Sequence, residues 1–205
     1  MIAGLCAALL GACASVPTGQ GAASAAASNA TVATAMLAPY RPNFEASGRL
    51  AVNYKHNGNP ESSTVNFTWA QTPARLDVTI ATPLSTLATI SVTPEQAVLV
   101  QTDKVPQVAA NLDALTTTSL GWTLPVTGLR DWLQGYASAA DGSRFVASAA
   151  INTVTTRDGW RLRFVSWQND AAGHLVPKRI DAERDAALGA AVEELAIRII
   201  LDGQS

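Results

Sequence analysis

Residues 65–80 read VNFTWAQTPARLDVTI, and this stretch decides the fold. Val65, Phe67 and Trp69 alternate with Asn66 and Thr68. After Gln71-Thr72-Pro73, Leu76, Val78 and Ile80 alternate with Asp77 and Thr79. A period of two, carried by β-branched and aromatic residues, puts the apolar side chains on one face of a strand. The proline-containing break supplies the turn between two such strands.

The pattern runs outward in both directions. Leu50, Val52 and Tyr54 alternate before it, and Ala88, Ile90 and Val92 after it. His56-Asn57-Gly58-Asn59-Pro60, Thr82-Pro83 and Thr93-Pro94 mark further turns. Turn signals every ~8–12 residues predict an antiparallel meander. The period then changes. Val108, Leu112 and Leu115 sit at helical spacing, as do Leu129, Trp132 and Leu133, with Gly135 placed to end the second helix. Strands resume as Asn152–Arg157 and Trp160–Trp167 around Asp158-Gly159, a two-residue hairpin signal. Lys178–Arg184 and the alternating Leu195, Ile197, Ile199 and Leu201 complete the set.

The chain opens differently, as MIAGLCAALLGAC. Leu10-Gly11-Ala12-Cys13 is an apolar residue, two small ones and a cysteine, the pattern of a bacterial lipoprotein cleavage site. Residues 1–12 are therefore expected to be a signal peptide, and Cys13 the acylated first residue of the mature chain. Ala14 follows Cys13 where an aspartate would signal inner-membrane retention, so the expected address is the outer membrane, on its periplasmic side. No charged residue precedes Arg41. Residues 13–40, rich in Ala and Ser, read as a tether, with a short helix possible near Thr34–Tyr40; residues 41–205 read as the folded domain.

Composition excludes several functions. A net charge of -2 with 15% charged residues offers no basic face for nucleic acid. With Cys6 removed and Cys13 acylated, no disulfide or Cys/His metal framework is expected. His56 and His174 each sit in a turn and read as surface histidines. Asp181, Glu183 and Asp185 read as the solvated face of a strand. There is no nucleophile elbow, no His-Glu-x-x-His and no phosphate loop, so neither an enzyme nor a cofactor is expected. The chain does have apolar surface in excess, 48% hydrophobic, with two short helices to cover a large sheet. Such a sheet can leave an apolar cavity.

The domain from about Phe44 to Leu201 resembles the LolB family of outer-membrane lipoproteins. The likeness runs through Phe44-Glu-Ala-Ser-Gly-Arg-Leu-Ala-Val52, Phe67-Thr-Trp69-Ala-Gln71 and Leu76-Asp-Val-Thr-Ile-Ala-Thr-Pro-Leu84. It continues in Leu129-Arg-Asp-Trp-Leu-Gln-Gly135, Gly159-Trp-Arg-Leu-Arg-Phe164 and Pro177-Lys-Arg-Ile180. The resemblance implies a mainly β fold: an unclosed, strongly curved antiparallel sheet, a half-barrel, with a few short helices over its concave apolar face. It also implies a function, accepting acylated lipoproteins from a periplasmic LolA-like carrier and inserting them into the outer membrane. Leu84 occupies the place of the family's exposed membrane-insertion residue.

The candidate acyl-chain cavity residues are Leu50, Val52, Phe67, Trp69, Val78, Ile80, Leu129, Trp132, Leu162, Phe164 and Ile197. Alternation alone does not separate cavity lining from filled core among them. The partners implied are the carrier, acylated lipoproteins and outer-membrane lipid, with the chain itself a monomer. Two other readings stay open: an envelope regulator that senses lipoproteins, and a structural lipoprotein with no ligand.

Overall fold

Each alternating segment forms a strand, and neighbouring strands pair in chain order because the Thr-Pro turns between them are short. The computed structural model describes residues 36–56, 58–112, 114–115, 126–185 and 192–205. Its elements are β1 (Phe44–His56), β2 (Asn59–Gln71), β3 (Leu76–Ala81), β4 (Thr86–Val92), β5 (Ala97–Gln101) and β6 (Gln107–Ala109). They continue with α1 (Val126–Trp132), β7 (Tyr136–Ser138), β8 (Arg144–Val146), β9 (Thr153–Thr155), β10 (Arg161–Asn169), β11 (Leu175–Asp185) and β12 (Val192–Gln204). Ten strands make one antiparallel sheet in the order β6-β5-β4-β3-β2-β1-β12-β11-β10-β9. It stays unclosed, with β6 and β9 as its edges. β7 and β8 pair separately.

The register carries the apolar alternation across the sheet. Trp69 lies opposite Val78, which lies opposite Ile90, which lies opposite Leu99. Leu50 faces Ile199, and Ile199 faces Ile180, which faces Phe164. These rows form the inner face, and α1 packs on it through the buried Val126, Leu129 and Trp132. Register shifts at Ser47/Gly48 in β1 and around Ser166 in β10 bend the strands. Gly48 is required at the first: a Cβ there would collide with the Ile200 carbonyl. Gly135 is required after α1, where its φ of 87° and the adjacent Leu37 side chain leave no place for a Cβ.

Several expectations change. Val108 is in strand β6 and exposed, not on a helix; only Leu112 and Leu115 of that trio are helical and buried, with Asn111 Oδ1 accepting the Ala114 N–H at 2.9 Å. Three apolar residues at helical spacing are too few to decide between the two states when the sheet offers an edge to pair with. The Asp158-Gly159 hairpin has a three-residue loop rather than two. The Gly159 N–H bonds the Thr156 carbonyl and the Thr156 N–H bonds the Trp160 carbonyl, with Gly159 at φ 79° as the bulge residue. His56-to-Pro60 is mostly strand, since β1 and β2 pair out to His56 and Asn59.

Residues 36–40, placed in the tether by their composition, are extended rather than helical and belong to the folded unit, Met36–Ser205. Leu37 bridges Leu175, the Ala38 N–H bonds the Leu175 carbonyl at 2.9 Å, and the Tyr136 hydroxyl bonds the Ala38 carbonyl at 2.8 Å. Buried Gln134 clamps Arg41, accepting its N–H at 2.8 Å and donating to its carbonyl at 3.1 Å.

Candidate functional site

The inner face is not filled evenly. Between β1–β4, β12 and the region of α1 lies a gap of about 40 Å³, lined by Leu50, Phe67, Trp69, Val78, Ile80, Ile90, Val126, Leu129, Leu133 and Ile199. Every lining residue is apolar or aromatic. The one polar atom they carry, the Trp69 indole N–H, is turned to Gln71 Oε1 at 2.8 Å and is satisfied. Nothing in the gap could hydrogen-bond a guest, so a guest that fits is a hydrocarbon. Its present volume is far below the roughly 300–1,000 Å³ of ordinary ligand pockets.

Six of the eleven candidate cavity residues meet at this gap: Leu50, Phe67, Trp69, Val78, Ile80 and Leu129. The other five do not line it. Trp132, Leu162, Phe164 and Ile197 are buried in the core, and Val52 packs against that core half-buried. Trp132 meets Trp160 edge-on at 5.8 Å, and Phe164 stacks between Phe145 and Trp167 at 6.1 and 6.0 Å. Ile90, Val126, Leu133 and Ile199 line the gap without being among those eleven. Ile90 and Ile199 share the alternation of their strands and Leu133 the helical spacing of α1, so the signal was present but not selective.

Leu84 sits at the tip of the β3–β4 turn and is 96% exposed. The Thr82 N–H bonds the Ser85 carbonyl at 2.9 Å, and the Thr82 hydroxyl oxygen accepts the Ser85 N–H at 3.2 Å. These bonds close the turn with Pro83 and Leu84 outside the ladder, so the side chain points away from every packed surface. Cys13 lies outside the described residues.

The acidic trio on β11 divides. Glu183 and Asp185 are exposed, but Asp181 is buried beneath arginines rather than solvated. It accepts two bonds from Arg179 at 2.9 and 2.8 Å, one from Arg163 at 3.3 Å and one from Arg198 at 3.4 Å. Burial pushes its carboxyl up, but the hydrogen bonds from Arg179 and Arg163 and the charges of Arg179 and Arg198 outweigh that and hold it below the usual carboxylate range. A groove of about 500 Å³ opens beside it on the outer face of β9–β11, lined by Arg161, Arg163, Asp181 and Glu183 among others. Its charged walls rule it out for an acyl chain. His174 lies 3.4 Å from Asp170 in the same surface turn. Among the described residues no group of three or more His, Cys, Asp or Glu side chains could hold a metal, and no helix is long and apolar enough to cross a membrane.

Residues 42–203 match the family described as "Outer membrane lipoprotein LolB". A protein of Cupriavidus taiwanensis named outer-membrane lipoprotein LolB is 34% identical over 164 residues, covering 77% of this chain and 79% of that protein. The protein of the same name from Bordetella petrii is 32% identical over 198 residues, covering 95% of this chain and 91% of its own length. A solved LolA superfamily protein from Nitrosomonas europaea aligns over 86% of this chain and 92% of its own, at 9% identity and a TM-score of 0.42, a likeness that adds nothing to the fold seen here. A match over most of the domain, together with relatives above 30% identity along most of their own length, makes this chain a member of the LolB family of outer membrane lipoproteins, which is not an enzyme family.

Proposed function

We propose that this chain, anchored through an acylated Cys13, accepts acylated lipoproteins from a soluble LolA-like periplasmic carrier and releases them into the outer membrane. The observation that carries the reading is the gap under α1, whose lining is wholly hydrocarbon apart from one satisfied indole N–H. The gap is narrow, and acyl chains enter by displacing α1 from the sheet. The energetics require such a site. Each buried CH2 is worth about 0.8 kcal/mol, so long acyl chains exposed to water would cost tens of kcal/mol. No nucleotide site is visible in the sequence, so transfer runs downhill, from carrier to this chain and then to the bilayer. Leu84 makes the membrane contact at which the chains leave. The protein acts as a monomer.

The test uses the unacylated chain, residues 14–205, mixed with a soluble carrier loaded with an acylated lipoprotein. Cargo should move to this chain, and a cargo stripped of its acyl groups should not. Cargo that stays on the carrier at every ratio of the two proteins would sink the proposal.

A further inference from the structure

We infer that the membrane contact is not Leu84 alone but a corner of the sheet, formed by the β3–β4 turn, the β5–β6 loop and the outer face of β4–β6, seated on the acyl layer of a bilayer. The inference rests on the proposed membrane role of Leu84 and extends it to residues of other strands.

The corner is set by topology. β4 begins where β5 ends: the Thr102 N–H bonds the Leu87 carbonyl at 3.2 Å and the Thr102 hydroxyl bonds the Thr86 carbonyl at 2.8 Å. The turn carrying Leu84 and the loop at 102–106 therefore leave the same end of the sheet. Val105 in that loop is 83% exposed and Val108 on edge strand β6 is 63% exposed. Leu87 and Val100 point outward between them and are exposed as well. Five of the large exposed aliphatics thus gather here, while Met36, Val146, Ile151 and Val165 lie outside the corner. Exposed apolar residues gathered at one corner of the sheet have a meaning that scattered ones lack.

The chemistry of the corner selects its occupant. From Val78 to Leu112 the charged residues are Glu95, Asp103 and Lys104, and Glu95 lies in the turn at the opposite end of β4. The same stretch contains no aromatic residue and no arginine. Protein interfaces draw their binding energy from Trp, Tyr and Arg set in pockets, none of which is present here. Aliphatic side chains with threonines between them, on a surface that turns a corner, suit a hydrocarbon layer that imposes no shape and offers no hydrogen bond, while the exposed Asp103 and Lys104 of the 102–106 loop would stay at its headgroup edge. Membership of an outer-membrane lipoprotein family supplies the bilayer.

The chain's two cysteines are Cys6 and Cys13, so residues 14–205 are cysteine-free and accept single labels. Leu84→Cys, Val105→Cys and Val108→Cys, with Ile151→Cys as a control exposed to the same degree as Val108, would each carry bimane. They are mixed with vesicles of phosphatidylethanolamine and phosphatidylglycerol containing brominated lipid. The expected result is a blue shift and bromine quenching at 84, 105 and 108, with none at 151. The double change Val105→Ser/Val108→Ser should lower vesicle partition about tenfold through lost apolar burial. Quenching at 84 without 105 and 108 overturns the corner and leaves the Leu84 reading standing. Silence at all positions removes both. Equal quenching at 151 means unspecific adsorption and overturns the corner. A shift at 105 and 108 that grows with protein concentration without lipid assigns the surface to a second copy and overturns it too.

Discussion

The two halves of the sheet obey the same alternation and are finished in opposite ways. On the inner face, β9–β12 are covered by aromatic side chains: Trp160 is fully buried against Trp132, and Phe164 is stacked between Phe145 and Trp167. β1–β4 are covered by α1 and by Leu133 just after it, with Leu112 and Leu115 in the same buried core, and a gap remains. On the outer face, β10–β12 carry an arginine cluster around Asp181, while β4–β6 carry aliphatics and threonines. One half is built to stay shut and wet outside. The other is loose inside and apolar outside, on both sides suited to lipid.

The largest expected effect tests the shut half. Phe164→Ala should cost about 3–5 kcal/mol, because an aromatic ring leaves a cavity between two stacked neighbours that do not collapse into it. Ile80→Ala should cost about 2 kcal/mol or less, since Ile80 is half-buried and already borders unfilled space. Denaturant unfolding of both variants decides. Equal costs would erase the distinction between the halves.

Next comes the charged outer face. Asp181→Ala should cost about 1–2 kcal/mol by leaving Arg163, Arg179 and Arg198 without their shared acceptor. Because the folded carboxyl titrates below its unfolded value, its contribution is fully present above that value and is lost as pH falls through the folded one. The stability difference between wild type and variant should hold steady above about pH 5 and close as pH drops below about 4. A difference independent of pH would mean that Asp181 contributes through packing, not charge.

The strands were legible because a period of two survives any covering. The difference between the halves was not, because Phe67 and Phe164 stand in identical alternation and differ only in what lies above them. That covering comes from residues remote in sequence, such as Phe145 above Phe164. β5, β7 and β8 were missed because strands of three to five residues are too short to show a clear period. Asp181 looked solvated because its own strand alternates, whereas its burial comes from Arg163 and Arg198 on the strands either side. Leu84 could be placed from sequence because Pro83 ends the pairing locally, with no help from tertiary contacts.

A smaller stability effect is expected inside the gap. Ile90→Phe adds volume where space already exists, so its cost should stay below about 1.5 kcal/mol. The same ring should cut uptake of an acylated cargo from the carrier several-fold. Unchanged uptake would place the acyl chains elsewhere, and strong destabilisation would show that the gap has no room to give.

The smallest effect on stability is expected at Leu84, and three turns of one design explain why. Thr72-Pro-Ala-Arg75, Thr82-Pro-Leu-Ser85 and Thr93-Pro-Glu-Gln96 each close with the threonine N–H bonded to the carbonyl three residues on, at 2.8, 2.9 and 2.9 Å. The residue after proline is Ala74, Leu84 or Glu95, so the turn itself accepts a small, an apolar or an acidic side chain. Leu84→Glu therefore places in one turn the residue that its sister already carries. Thermal unfolding should shift by no more than about 0.5 kcal/mol equivalent. A carboxylate at the proposed bilayer contact should nevertheless impair release of cargo into vesicles while leaving acceptance from the carrier intact. Loss of folding would make Leu84 a packing residue and remove the contrast between the halves at its most exposed point. Wild-type release would make it an ordinary surface leucine.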